Sequence, residues 1–465
     1  MVCCMALTRK PNGGPTGSTN RRLLREPTHG LKPHGKSRCR GLRGYLLSSP
    51  RPGKVTAHQD GAIAWDDDGV IIYAGSWETR PRARAITWED ARTRVITPGF
   101  VDAHCHLAQY PAVAQGGLEL LPWLERYIFP LERRFTPERA AREASRFFAE
   151  LKRHGITSAA VYLTACPEST EVCFQAARRS KLRIAMGQMM MDVSSYRGRT
   201  SRALTRRVLE ESERLCNRWH GAANGRLRYA FSPRFALTCS SELMRATAEL
   251  ARDTGAFIQT HLAENPAETA AVRKLFPKAI DYTHVYEEHG LLGPRTVVGH
   301  AIYLSDREYR VLRQTDTKVA HCPTANLFLR SGVMDWNRMR SEGIAMGLGS
   351  DVGAGPELNP WQVMKGASYS HKLRVALTGT GAEPGLAELF RAATVGGAEV
   401  LWPERKLGQL APGFDADLAV WDVDRVDAFE EPLAERADGE LVLSKLIFRG
   451  ALARAVRTYV RGESV

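Results

Sequence analysis

At 465 residues, with 43% hydrophobic and 25% charged residues, the chain has the composition of an ordinary globular protein. Its length suits one α/β barrel with a small added domain better than three separate domains. No apolar run reaches the ~18 residues of a membrane span, and none near the start reads as a secretory signal, so a soluble cytosolic protein is expected.

The net charge of +14 suggests a polyanionic partner until it is located. Residues 1–44 hold ten Lys and Arg against Glu26 alone, so +9 of the total lies there and the body is only mildly basic. This segment is rich in Gly, Pro, Ser and Arg, a disordered composition, and is expected to be a dispensable basic extension. Neither a nucleic acid nor a membrane is expected as a partner. The nine cysteines are odd in number and scattered, which reads as reduced thiols rather than a disulfide framework.

From Tyr45 the chain becomes strand-like. Ala62–Trp65 and Val70–Tyr73, joined through Asp66-Asp-Asp-Gly69, predict a hairpin. Short strands recur at the far end, at Asp417–Trp421 and Val456–Val460. Residues 45–97 and 405–465 are therefore expected to meet in one small β-sandwich domain. Residues 98–404 would form the catalytic domain inserted between them.

The middle alternates strands with helices. Thr136-Pro137-Glu138 is an N-cap followed by proline at the first helical position, and the helix it opens is expected to run over Pro137–Arg153 and stop at Gly155. Strands are expected at 98–106, 157–162, 182–187, 227–231, 257–261, 296–300, 318–322 and 344–351. Eight such units predict a (β/α)8 barrel, whose chemistry sits at the C-terminal strand ends.

Those ends carry His104 and His106, then Arg234 and Phe235, His261, His300, His321 and Asp351. A purely structural barrel has no need to gather histidines there. His104 and His106 are two apart on an extended strand, so both side chains point to one face. Three imidazoles (His104, His106, His261) and the Asp351 carboxylate suit one Zn²⁺, with Fe²⁺ compatible, and leave a position for a water whose pKa falls to ~7. Asp351 is also a candidate base. Glu264, three residues past His261, is expected to carry the proton to a ring nitrogen and then to a leaving amine. A fifth protein ligand would crowd one metal, so His300 is expected to orient or polarise the attacking water.

Pro98-Gly-Phe-Val-Asp-Ala-His-Cys-His106, His261-Leu-Ala-Glu264, His300 and Gly349-Ser-Asp351 together resemble the amidohydrolase superfamily. Within it the chain resembles the guanine deaminase family, from roughly residue 60 to the C-terminus. The likeness rests on His104-Cys-His-Leu-Ala-Gln109-Tyr110, Leu121–Pro130, Ser232–Ser240, Thr260–Asn265, His300–Ser305, His321–Asn326 and Gly347–Gly355. The resemblance implies hydrolysis of guanine to xanthine and ammonia on a zinc-bearing barrel that is a homodimer. It also implies that Gln109 and Arg234 hold the purine's polar edge, that Phe235 covers the ring, and that His106 faces the substrate.

Two stretches depart from the family pattern, Gly355-Pro-Glu-Leu-Asn-Pro-Trp361 and Phe328-Leu-Arg330-Ser331. Both are expected at the substrate entrance, which leaves two alternatives open. One is an aminohydrolase for another amino-heterocycle (8-oxoguanine, another purine or pterin, a triazine). The other is a silent barrel acting as a binding protein.

Overall fold

A computed structural model describes residues 39–465, apart from 84, 194–200, 425 and 427–437. Strands β1 (Cys39–Arg51), β2 (Lys54–Trp65), β3 (Ile71–Ser76) and β4 (Ile86–Pro98) come from the front of the chain. The barrel strands follow: β5 (Phe100–His106), β6 (Ile156–Tyr162), β7 (Arg183–Gly187) with the two-residue β8 (Met189–Met190), and β9 (Leu227–Pro233). The circuit continues through β10 (Phe257–Leu262), β11 (Thr296–His300), β12 (Lys318–His321) and β13 (Met346–Leu348). The far end adds β14 (Leu418–Asp422), β15 (Arg454–Val460) and β16 (Glu463–Ser464).

The two ends of the chain do meet in one sheet, in the order β16-β15-β14-β4-β1-β2-β3. The expected hairpin is present, with Ala64 opposite Tyr73 and Trp65 opposite Ile71. One boundary needs correction. Strand β1 begins at Cys39 rather than at Tyr45, because Leu42 is buried in the sheet's own core and Arg43 is held by the Asp60 carboxylate at 2.7 Å. The expected extension therefore loses its last six residues to the sheet; residues 1–38 lie outside the described residues.

The eight barrel strands pair in sequence order and in parallel, from β5 to β13. Strands such as β5 and β6 are buried at every position, which is why they read as apolar runs rather than alternating patterns. The helix after β5 runs over Pro137–Arg153, as its sequence signals require. The Thr136 hydroxyl accepts from the Arg139 N–H, and Gly155 ends the run at φ 64°.

Two features fix the barrel's geometry where the site will lie. Only Gly99 separates β4 from β5, so the small sheet leads straight into the strand carrying His104 and His106. At the other edge, the Asp351 N–H donates to the His104 carbonyl (2.7 Å) and the His106 N–H to the Val352 carbonyl (2.6 Å). These bonds close the ring between its first and last strands. Beneath them, Phe100, Trp361 and Trp421 pack edge to face with centroids 5.0–5.7 Å apart and join barrel to sheet. Arg183 adds a buried tie to Asp415 and Asp417, both at 2.6 Å. No helix among the described residues is long and apolar enough to cross a membrane. The seven described cysteines are free thiols.

Candidate active site

The residues expected from the strand ends converge at the C-terminal mouth of the barrel. Nε2 of His106 lies 3.2 Å from Nε2 of His104 and 3.3 Å from Nε2 of His261. Asp351 places Oδ1 3.3 Å from the His104 nitrogen and 3.1 Å from that of His106. Three ring nitrogens and a carboxylate oxygen at such spacings, all buried, are a donor set for one divalent ion of the zinc type. Burial lowers the pKa of all three imidazoles, that of His106 to about 4, so their lone pairs are free for a metal. Burial opposes charge on Asp351 as well, but its contacts with His104 and His106 outweigh this and hold it well below the usual carboxylate value.

Surrounding groups orient the donors. The Nδ1–H of His261 donates to the Arg234 carbonyl at 2.7 Å, which turns Nε2 toward the cluster. The Asp102 carboxylate accepts from the His104 backbone N–H (3.2 Å), the Ser350 N–H (2.9 Å) and the Ser350 hydroxyl (2.5 Å), tying the first and last strand ends together. Gly299 gives the His104 ring its space, because a Cβ there would stand 2.7 Å from Cε1. His300 (φ 70°) and Asp351 (φ 49°) adopt left-handed backbone that non-glycine residues avoid, a strain of about 1–3 kcal/mol each that collects at functional sites.

Glu264 and His300 form a second group beside the cluster. His300 Nε2 is 3.4 Å from Glu264 Oε2 and 3.9 Å from Asp351 Oδ2, and it has no hydrogen-bond partner among the described residues. Its Nδ1–H donates to Asn326 Oδ1 at 2.8 Å. Burial pushes the Glu264 carboxyl up to about 7; His300 opposes the shift and Asp351 adds to it. The Ser331 hydroxyl donates to Glu264 Oε1 (3.1 Å), and Glu268 Oε2 accepts the Glu264 backbone N–H (2.8 Å).

A cavity opens over both groups, lined by His106, His261, Glu264, His300 and Asp351. Gln109, Arg234 and Phe235 also line it, and Leu120, Trp123, Leu124, Leu329 and Ala354 form the apolar remainder. Apolar walls around a few convergent polar groups are the usual form of a small-molecule site.

Two expectations change. The stretch 355–361 does not border the cavity; only Ala354 before it does. Trp361 is drawn into the aromatic seam below, and Asn359 caps the following helix while its amide donates to the Gly450 carbonyl. His321 also stays out of the site, because its Nε2 faces Nε2 of buried His371 at 3.2 Å. The departure at 328–331 is different: Leu329 lines the cavity, while Arg330 turns outward and pairs with Glu119 at the surface.

Glu132 was missed. It is wholly buried and takes the Gln109 amide on Oε1 (2.9 Å) and Arg234 Nη1 on Oε2 (2.7 Å). No periodicity or motif marks it, since it lies just past Leu121–Pro130, in the short helix Phe129–Arg133. Asp102 and Asn326 lie inside the motifs Pro98–His106 and His321–Asn326, whose local pattern does not show their partners.

Residues 95–464 match the model of the amidohydrolase family. A guanine deaminase of Escherichia coli is 33% identical over 449 residues, covering 93% of this chain and 98% of that protein. A probable guanine deaminase of Deinococcus radiodurans is 32% identical, covering 91% and 98%. A solved guanine deaminase from C. acetobutylicum with bound guanine in the active site superposes with a TM-score of 0.83, at 28% identity over 92% of this chain and 100% of that one.

Proposed function

The chain belongs to the amidohydrolase family, and from that membership we infer that it hydrolyses guanine to xanthine and ammonia. The observation that carries the reading is that the arginine and amide of the cavity wall, Arg234 and Gln109, stand beside the clustered His104, His106 and His261 and the Asp351 carboxylate. Guanine presents O6, N3 and N7 as acceptors, which the arginine fork matches; the Gln109 amide nitrogen lies on Glu132 (2.9 Å) and His106 (3.1 Å), which leaves the amide oxygen to accept from a ring N–H. The full donor set and the presence of Glu264 disfavour a silent binding protein.

We propose that His104, His106, His261 and Asp351 hold one Zn²⁺. When bound there, the ion supplies a nucleophile by lowering the pKa of water to ~7. The remaining work belongs to the chain. Glu264, whose carboxyl titrates near neutrality, takes one proton of the attacking water and gives it to the ring nitrogen, then takes the proton of the hydroxyl added to the ring carbon and gives it to the amine, which leaves as ammonia as the carbonyl forms. His300 orients the attacking water from its place beside Glu264 and Asp351. Arg234 and Gln109 hold the polar edge of the base, Phe235 flanks its face, and Leu120, Trp123, Leu124 and Leu329 keep bulk water out.

The test is ammonia release by the purified protein from guanine, 8-oxoguanine, adenine, cytosine and melamine-type rings, with metal analysis of the same sample. Guanine is expected to be the preferred ring at one zinc per chain. Full metal loading without ammonia from any ring would return the protein to the binding class.

The Glu264 environment also sets a pH dependence. The first proton transfer needs the carboxylate, which is present above its pKa and lost as pH falls through it. Burial raises that pKa to about 7, so kcat/KM is expected to decline on the acid side with a midpoint near 7. An acid limb at the ordinary carboxylate value of 4.5 would remove Glu264 from this role.

A further inference from the structure

We propose that Glu132 is a positioning and specificity-determining residue, which fixes Arg234 and Gln109 and cancels the arginine's charge so that the cavity admits a neutral base rather than an anion. The inference rests on the reading of guanine as substrate.

Its basis is the division of contacts around one carboxylate. Glu132 does not line the cavity, whereas both of its partners do. Each of its oxygens takes a different partner, Gln109 on Oε1 and Arg234 on Oε2. The bond to Nη1 leaves most of the guanidinium's five N–H donors for a ligand. The short helix that carries Glu132 also presents Phe129, three residues earlier on the same helical face, to the same guanidinium at 5.0 Å. A ring and a carboxylate from one turn therefore restrain Arg234, and the carboxylate restrains Gln109 as well.

Charge follows from burial. Arg234 and Glu132 have side chains 3% and 0% exposed, so neither ion is neutralised by water and each depends on the other. Paired in this way, Arg234 offers hydrogen bonds without a net positive field. A neutral purine edge gains those bonds. An anionic ring gains little, because its charge meets a guanidinium already satisfied and a carboxylate just behind it.

Glu132→Gln in the full-length, metal-loaded protein separates this role from a merely structural one. The measurements are KM and kcat for guanine and the inhibition constant of urate, a purine that is anionic at neutral pH. The affinity for guanine is expected to fall at least ~10-fold with the loss of a charge-assisted bond, while urate binds as well as before or better. Metal content should remain at one per chain and kcat should change least. Glu132→Asp keeps the charge but shortens the reach, so it should weaken guanine without improving urate; it also serves as the test should the amide variant fail to fold. Equal changes for guanine and urate, or none, in an active enzyme overturn the inference alone. A wild-type protein that releases no ammonia from guanine overturns the substrate reading, and this inference with it.

Discussion

Glu264→Gln is expected to keep the fold and the metal and to lose at least ~10²-fold in kcat, the usual contribution of a general acid and base. The substitution is nearly isosteric, and the contacts that position the side chain survive it. The amide oxygen can still accept from Ser331, and Glu268 continues to hold the backbone N–H of residue 264. What disappears is a group that changes protonation near neutrality. Single-turnover ammonia release and metal analysis on one sample check the outcome. A variant with near-normal turnover would assign the proton transfer elsewhere, with Asp351 the next candidate.

His261→Ala is expected to abolish metal binding, and activity with it. The ring supplies one of three clustered nitrogens and is aimed by its bond to the Arg234 carbonyl, so truncation removes a ligand, while the carbonyl keeps the backbone N–H of residue 261 and the Thr260 hydroxyl as donors. Elemental analysis after dialysis, with a thermal melt to establish folding, reads the result. The same experiment separates two roles for His300. Stoichiometric metal in a folded but inactive variant would mean that His300, whose Nε2 has no hydrogen-bond partner among the described residues, has joined the ligands.

Most of the candidate site is legible in the sequence, for a reason rooted in the barrel itself. A parallel strand buried on both faces is an apolar run, so the polar residue that ends it stands out, and strand ends at one mouth share one destination. His104, His106, His261, His300 and Asp351 were found in this way. The same rule over-counted His321, which ends its strand properly but turns toward His371 on the helix Pro360–Thr378. It also failed for the loop 355–361, because nearness to Asp351 in sequence says nothing about the pull of an aromatic seam on Trp361.

By itself, the sequence determined the barrel, the meeting of both chain ends in one sheet and the strand-end residues of the candidate donor set. These follow from local patterns: strand length, two-residue spacing on a strand, a cap before a proline; Gln109 and the expected substrate contacts of Arg234 and Phe235 come instead from the resemblance to the guanine deaminase family. Only the tertiary structure decided which carboxylate stands behind Arg234 and Gln109, which serine holds Glu264, and which amide holds His300. Glu132 meets Arg234 across 102 positions and Ser331 meets Glu264 across 67, and contacts at such separations leave no periodic trace in the chain. They exist because the barrel brings loops from different strand ends to one mouth, where each buried polar group requires a partner.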